Sequence, residues 1–393
     1  MKPPRPVNGL LPIALIVFID VLGFAVVIPL LPFYAQRYDV GPAMIGLLLA
    51  SYALCSLVAA PLLGRWSDRY GRRRVLLLSQ AGSLAGFLLL AWAPSLGWLF
   101  AARIVDGLSS GNVATARAYI ADITAPADRT RAFGVISAAF GFGFLVGPAT
   151  AGVLGHLDPR LPLLTAAALA AASIAATWWM LPAASAPPSP QPPRTAASTT
   201  ALWRLPGVGP RLAQLFAFLL AFSAFSAGFP LFCERQIGSR HGELYGLREV
   251  GLLLAYVGAL GLLTQLWLLP RMLRAVGEAA LVRIALAVAA LGYAGLAFAH
   301  SLAPLLLCLS LSGIATSALR PGLLGLISQQ VPATRQGAAF GAAQSLQSLA
   351  MVLAPLAAGA LIEFGWLAGW AGFCAAMLLA AMVLAPRRPA YRR

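Results

Sequence analysis

Twelve apolar runs, each long enough to cross a bilayer as a helix, leave this chain few ways to fold. A spanning helix needs about 20 mostly apolar residues. Candidate runs fall at 10–33, 43–63, 75–93, 97–119, 132–155, 161–181, 211–232, 250–270, 281–299, 302–325, 337–362 and 365–385. Closed β-barrels are the other spanning solution, but their strands alternate apolar and polar over about ten residues. Runs such as Val75–Ala93 are continuously apolar, so the chain is read as an all-α membrane protein. Composition agrees: 60% of residues are hydrophobic and 10% charged, against about 45–50% and about 25% in soluble domains.

The formal charge of +16 would suggest nucleic acid in a soluble chain. Here the arginines sit between apolar runs, and most gather on one side of the membrane, at 65–74, 129–131, 271–274 and 387–393 among other places. The positive-inside rule then puts both termini in the cytoplasm. The first run is too long for a signal-peptide core and reads as a retained span. Cys55, Cys233, Cys308 and Cys374 have no metal or redox spacing and read as small apolar fillers.

The organisation is read as a six-helix half at 1–181, a Pro-rich cytoplasmic linker at 182–210, and a second six-helix half at 211–393. The halves repeat each other. Gly64-Arg65 through Gly71 aligns with Pro270-Arg271 through Gly277, and Pro126 to Arg129 aligns with Pro332 to Arg335, both 206 residues on. Gly147-Pro148 and Gly152 align with Ala354-Pro355 and Gly359 at 207. Paired repeats of this kind place a substrate between the halves near midplane.

Three motifs carry more than topology. The loop after the second span reads Gly64-Arg-Trp-Ser-Asp68-Arg69-Tyr-Gly71-Arg72-Arg73-Arg74. The fourth span holds Arg103-Ile-Val-Asp106-Gly107 and ends near Asp122. The fifth holds Gly141-Phe-Gly143-Phe-Leu-Val-Gly147-Pro148 and then Gly152, and the first holds Asp20-Val-Leu-Gly-Phe24 with Pro29 and Pro32. Together these resemble the major facilitator superfamily, in its twelve-span drug–proton antiporter branch, with tetracycline-type exporters the nearest likeness. The resemblance implies a fold of two pseudo-symmetric six-helix halves working by alternating access. It implies that Asp68 caps a helix of the second half near Gln336 and Gly337, with Arg72 and Asp122 pairing beside it. Gly64 and Gly71 are read as allowing a tight turn there. Gly143, Gly147 and Gly152 are read as letting neighbouring helices approach, with Pro148 bending the span. The likeness departs at the eighth span, which offers Gln265 and no histidine, and at the ninth, which has no acid.

Charges inside a span cost several kcal/mol unless paired or wet, so they default to function. Asp20 is the leading proton-carrying acid and Asp106 the second, with Arg103 tuning both. Arg103 and Asp106, three apart, share a helix face. The competing reading is a static ion pair that only fixes packing. Arg320 precedes Pro321-Gly322, where an interrupted helix is expected. Its carbonyls would neutralise Arg320, or Arg320 would meet substrate. Phe24, Phe140, Phe222 and Gln265 are further cavity candidates. The expected function is proton-coupled efflux of small amphipathic or apolar compounds. A sugar or metabolite carrier of the same fold, and a membrane receptor or scaffold, stay open. No zinc-protease pattern or nucleophile set suggests an enzyme. No cofactor, metal or nucleic-acid partner is implied. The expected partners are a small-molecule substrate, protons and the inner-membrane bilayer, with the protein a monomer.

Overall fold

A computed structural model describes residues 10–123, 129–181, 203, 205, 207–238, 246–332 and 335–385. Among these residues the ordered elements are all helical. They are α1 (Leu10–Ala35), α2 (Pro42–Tyr70), α3 (Arg72–Ala91), α4 (Leu96–Leu108), α5 (Asn112–Ile123), α6 (Arg129–Gly155) and α7 (Arg160–Met180). After the expected linker, which lies almost wholly outside the described residues, come α8 (Val208–Cys233), α9 (Leu247–Leu263), α10 (Leu269–Leu296), α11 (Leu302–Gln330), α12 (Gln336–Glu363) and α13 (Leu367–Val383).

Nine helical stretches among the described residues are long and apolar enough, taken singly, to cross a membrane. Three local features bring this to the twelve expected spans. The stretch Leu247–Leu296 runs 50 residues, but Gly277 inside it has φ 75°, which ends one helix and starts the next. Helices α4 and α5 are each too short and cross only as a pair. Helix α13 has 17 residues, at the lower limit for a span. Val58 in one part of the chain and Leu291 and Phe298 in another are exposed apolar side chains, which suits lipid rather than water.

The chain divides into two compact units. The first gathers Met1–Val40, Ser51–Pro190 and Gly246–Ala255. Its core is built by Ile13, Ile16, Val17, Val21, Leu76 and Tyr119, with Phe18, Phe140 and Phe144 packed against it. The second gathers Gly41–Ala50, Gln191–Tyr245 and Tyr256–Arg393. Its core is aromatic: Phe225 stacks on Tyr293 with ring centroids 4.8 Å apart, and Phe232 lies 5.0 Å from fully buried Trp370. The indole of Trp370 donates to the carbonyl of Ala224 at 3.0 Å, so its one polar atom is satisfied inside lipid.

The sequence repeat reappears in the backbone. Gly71 and Gly277, 206 residues apart, both adopt positive φ, at 93° and 75°. Both are positions of a kind that favours glycine. Gly64 is different. It lies inside α2, which continues to Tyr70, and a Cβ there would meet nothing within 4 Å. The expected turn is therefore made by Gly71 alone, because α2 outlasts its apolar run by seven residues once it reaches water. The interruption expected at Pro321 is also absent: α11 runs continuously through it. A membrane helix tolerates the lost bond when neighbours supply polar groups.

Two further glycine crossings obey the repeat. In the first unit, a Cβ on Gly251 would lie 2.6 Å from Pro148 O and from the Cα of Gly152. In the second, a Cβ on Gly359 would lie 2.5 Å from Pro42 O, and one on Gly46 would clash with Pro355 O. Backbone-to-backbone contact of this kind leaves no room for a side chain. Gly251→Val is expected to force the α6–α9 crossing apart and lower the melting temperature of the detergent-purified protein. Gly64→Ala, in an open helical position, should raise stability by about 0.5–1 kcal/mol. Equal melting temperatures for the two variants would contradict the packing described.

Candidate functional site

The first unit carries two carboxylates within its spans, and each has found a different partner. In α4, Arg103 Nη1 meets Asp106 Oδ2 at 3.1 Å. Both residues are buried, at 1% and 6% exposure. The Arg103 guanidinium also lies over the Tyr52 ring, 4.2 Å from its centroid. Ser83 of α3 adds a hydrogen bond to Asp106. A fully buried arginine is thus held by one anion, one aromatic face and its own helix.

Asp20 of α1 is held by Asn112, whose Nδ2 donates to Asp20 Oδ1 at 2.6 Å. Asn112 reaches it because the fourth span is broken. Ser109 to Gly111 separate α4 from α5, and Ser110 Oγ donates to Gly107 O at 2.7 Å while meeting Ser56 Oγ at 2.6 Å. A serine hydroxyl that engages the backbone offers it an alternative to the helix ladder. Gly111 seats the break closely, since a Cβ there would lie 2.8 Å from Leu63 Cδ1 and Ser79 Oγ. Asn112 becomes the first residue of α5, with the positive end of that helix beside the carboxylate.

Asp20, Asn112, Gln80, Ser83, Phe87 and Ser173 line a recess among α1, α3, α5 and α7, with room for a water molecule. Gln80 Nε2 donates to Ser173 Oγ at 2.8 Å and Thr177 Oγ1 at 2.9 Å, leaving its Oε1 without a donor. Asn112 Oδ1 likewise has none. Two orphaned acceptors beside a carboxylate suit a bound water that donates to them. Asp106 is near enough to Asp20 for the two charges to interact.

The structure therefore joins Arg103 to Asp106 and gives Asp20 to Asn112. Phe24 packs beside these groups, with ring centroids 5.6 Å from Tyr52 and 6.3 Å from Phe144. Gly143 and Gly147 of α6 seat on α1: Cβ atoms there would lie 2.7 Å from Val21 Cγ1 and 2.6 Å from Ala25 Cβ. Phe140 is half-buried against the same core. In the signature loop, Arg72 Nη1 pairs with Asp68 Oδ1 at 2.5 Å and reaches Ser67 Oγ at 3.0 Å. Arg69 lies over the Tyr70 ring. The side chain of Asp122 lies outside the described residues. In the second unit, Arg320 donates to Gln347 Oε1 at 2.6 Å, Phe222 packs beside Phe218, and Gln265 is exposed on the π-helical turn between α9 and α10.

Residues 13–307 and 246–393 match the family model described as Major Facilitator Superfamily. The chain belongs to the Major Facilitator Superfamily. As a member of that superfamily it is a multi-pass membrane transporter, not an enzyme. It is 32% identical to the tetracycline resistance protein, class C, of Escherichia coli over 359 residues, covering 89% of this chain and 88% of that one. It is 26% identical over 349 residues to multidrug resistance protein 1 of Bacillus subtilis, covering 88% and 87%. The solved human organic anion transporter MFSD10 (TETRAN) shares its fold, with a TM-score of 0.72 at 22% identity over 97% of this chain and 100% of that one.

Reasoning from sequence found both acids and the arginine but missed Asn112, Tyr52 and Gln80. The signal for Asn112 and Gln80 was available, since each is a polar amide within an apolar run. The pairing in this superfamily member is measurable by a double-mutant cycle on unfolding of Arg103→Ala, Asp106→Ala and the double variant. We expect a coupling of about 0.5–3 kcal/mol, with Arg103→Ala alone more damaging than the double. No measurable coupling would show that the two charges do not depend on each other.

Proposed function

We propose that this transporter exports small amphipathic or apolar compounds in exchange for protons, by alternating access. It would sit in the inner membrane with both termini cytoplasmic. The relatives named for tetracycline and multidrug resistance support the substrate class. The observation that carries the coupling is Asp20, an acid inside α1 whose direct hydrogen-bond donor is the neutral Asn112, beside an already neutralised Arg103–Asp106 pair. Such a carboxylate has no cation bonded to it, so the balance between its protonated and ionised forms is poised to respond to hydration and nearby charge. A conformational change that opens the recess to water on one face would release the proton there. One that closes it would favour reloading.

In this reading the six-helix segments 1–181 and 211–393 are the moving halves, and 182–210 is the tether. Gly64, Asp68, Arg69, Gly71, Arg72 and Asp122 are the proposed cytoplasmic latch, a reading that the closeness of Asp68 and Arg72 supports. Gly143, Gly147, Pro148 and Gly152 form the seam that seals the path during the cycle. Phe24, Phe140, Phe222, Gln265 and Arg320 are the proposed cavity residues. A substrate with few hydrogen-bond demands fits a lining so sparse in polar groups.

Proteoliposomes with an imposed pH gradient test this directly, with a panel of dyes, drugs and sugars as cargo. Asp20→Asn is expected to insert normally and to abolish gradient-driven efflux of the apolar cargo. Full gradient-driven transport by Asp20→Asn would remove Asp20 from the coupling.

A further inference from the structure

The N-terminal end of α8 collects hydrogen-bond donors that no acid among the described residues answers. Arg211 is 8% exposed and Gln214 is fully buried. Arg211 Nη1 donates to Gln214 Oε1 at 2.7 Å. That bond uses the amide's acceptor, and it leaves Arg211 Nε and Gln214 Nε2 both buried without a hydrogen-bond partner. A second cation, Arg283 of α10, is close enough to repel Arg211 and is itself exposed. Gly207 precedes α8 with φ 80° and no side chain caps the helix, so the positive end of a 26-residue helix adds to the same place.

Among the described residues, the acids that could neutralise this cluster have other partners or lie elsewhere. Residues 182–210 and 384–393 contain no Asp or Glu. Glu278, the one acid between residues 264 and 286, accepts from Gln329 Nε2 at 2.6 Å. Glu234 and Glu363 belong to the far ends of the second unit's helices, since Glu234 follows the last residue of α8 and Glu363 is the last of α12, and Glu249 lies in the first unit. A buried guanidinium beside a second cation and an unfilled amide donor is costly unless an anion joins it. A tetrahedral oxyanion offers acceptors to a guanidinium and an amide N–H together, and the guanidinium fork matches its oxygens.

We propose that the Arg211–Gln214–Arg283 cluster binds a phosphate group, presented either by a phospholipid headgroup or as free phosphate. Arg211 is buried and Arg283 exposed, so in this proposal the headgroup approaches from the Arg283 side. Half-exposed Trp203 lies alongside, its carbonyl 2.7 Å from where a Cβ on Gly209 would sit. Aromatic side chains of this kind settle at the level of lipid headgroups. The site involves none of the groups assigned to proton coupling and stands or falls independently of it.

Native mass spectrometry of the purified full-length protein tests the proposal, comparing retention of dioleoyl-phosphatidylglycerol with dioleoyl-phosphatidylcholine. A parallel thermal-shift titration compares sodium phosphate with sodium chloride at equal ionic strength. Wild type should retain the anionic lipid preferentially, or gain thermal stability from phosphate, and the arm that responds identifies the source. Arg211→Gln should weaken that response about tenfold, the loss of one charge-assisted hydrogen bond. Arg283→Ala, at an exposed position, should fold like wild type and weaken it as well, which decides the matter should Arg211→Gln fail to fold. The proposal is overturned if neither arm responds in wild type, or if folded Arg283→Ala responds as strongly as wild type.

Discussion

A charge placed inside a bilayer must find its counter-charge and its hydrogen bonds within the protein, because lipid supplies neither. The first unit meets that demand at two adjacent points in two ways. Arg103 and Asp106 cancel each other within one turn of α4, under the ring of Tyr52. Asp20 receives a neutral donor, Asn112, at the start of α5. The first arrangement removes net charge and favours permanence. The second leaves the acid's charge open, and the proposed exchange of a proton depends on that difference.

The break in the fourth span links this chemistry to the fold. A continuous helix from 96 to 123 would have no free end in the bundle. Splitting it at Ser109 to Gly111 creates a helix N-terminus next to Asp20 and turns Asn112 toward it. The same break is stabilised locally by the Ser110 hydroxyl, which bonds both Gly107 O and Ser56 Oγ. Packing by glycine holds the surroundings close: Gly143 and Gly147 bring α6 against α1, the helix that carries Asp20. Sequence, helix break, helix seam and acid are thus one connected arrangement inside a single unit.

Much of this was legible before any coordinates. Apolar run length gave the spans, since in lipid each run must satisfy its own backbone as a helix. The offset of 206 residues foresaw that Gly71 and Gly277 would be equivalent, and both adopt positive φ. What escaped the sequence depended on local competition or on distant contacts. The break at Ser109 to Gly111 sits in an apolar run whose composition still favours a span. Gly64 looked like a turn residue because a turn lies nearby, yet Gly71 makes it. Pro321 looked like a breaker, yet α11 passes through it. Asn112 was readable as a polar residue in a span, but its pairing with a residue 92 positions earlier was not.

Infrared difference spectroscopy of the protein in lipid tests the central claim most directly, by following the carbonyl band of protonated carboxyl groups through a pH titration with and without bound substrate. If Asp20 exchanges its proton during the cycle, one such band titrates, shifts its midpoint when substrate binds, and disappears in Asp20→Asn. A band set that is indifferent to substrate and unchanged by that substitution would contradict it.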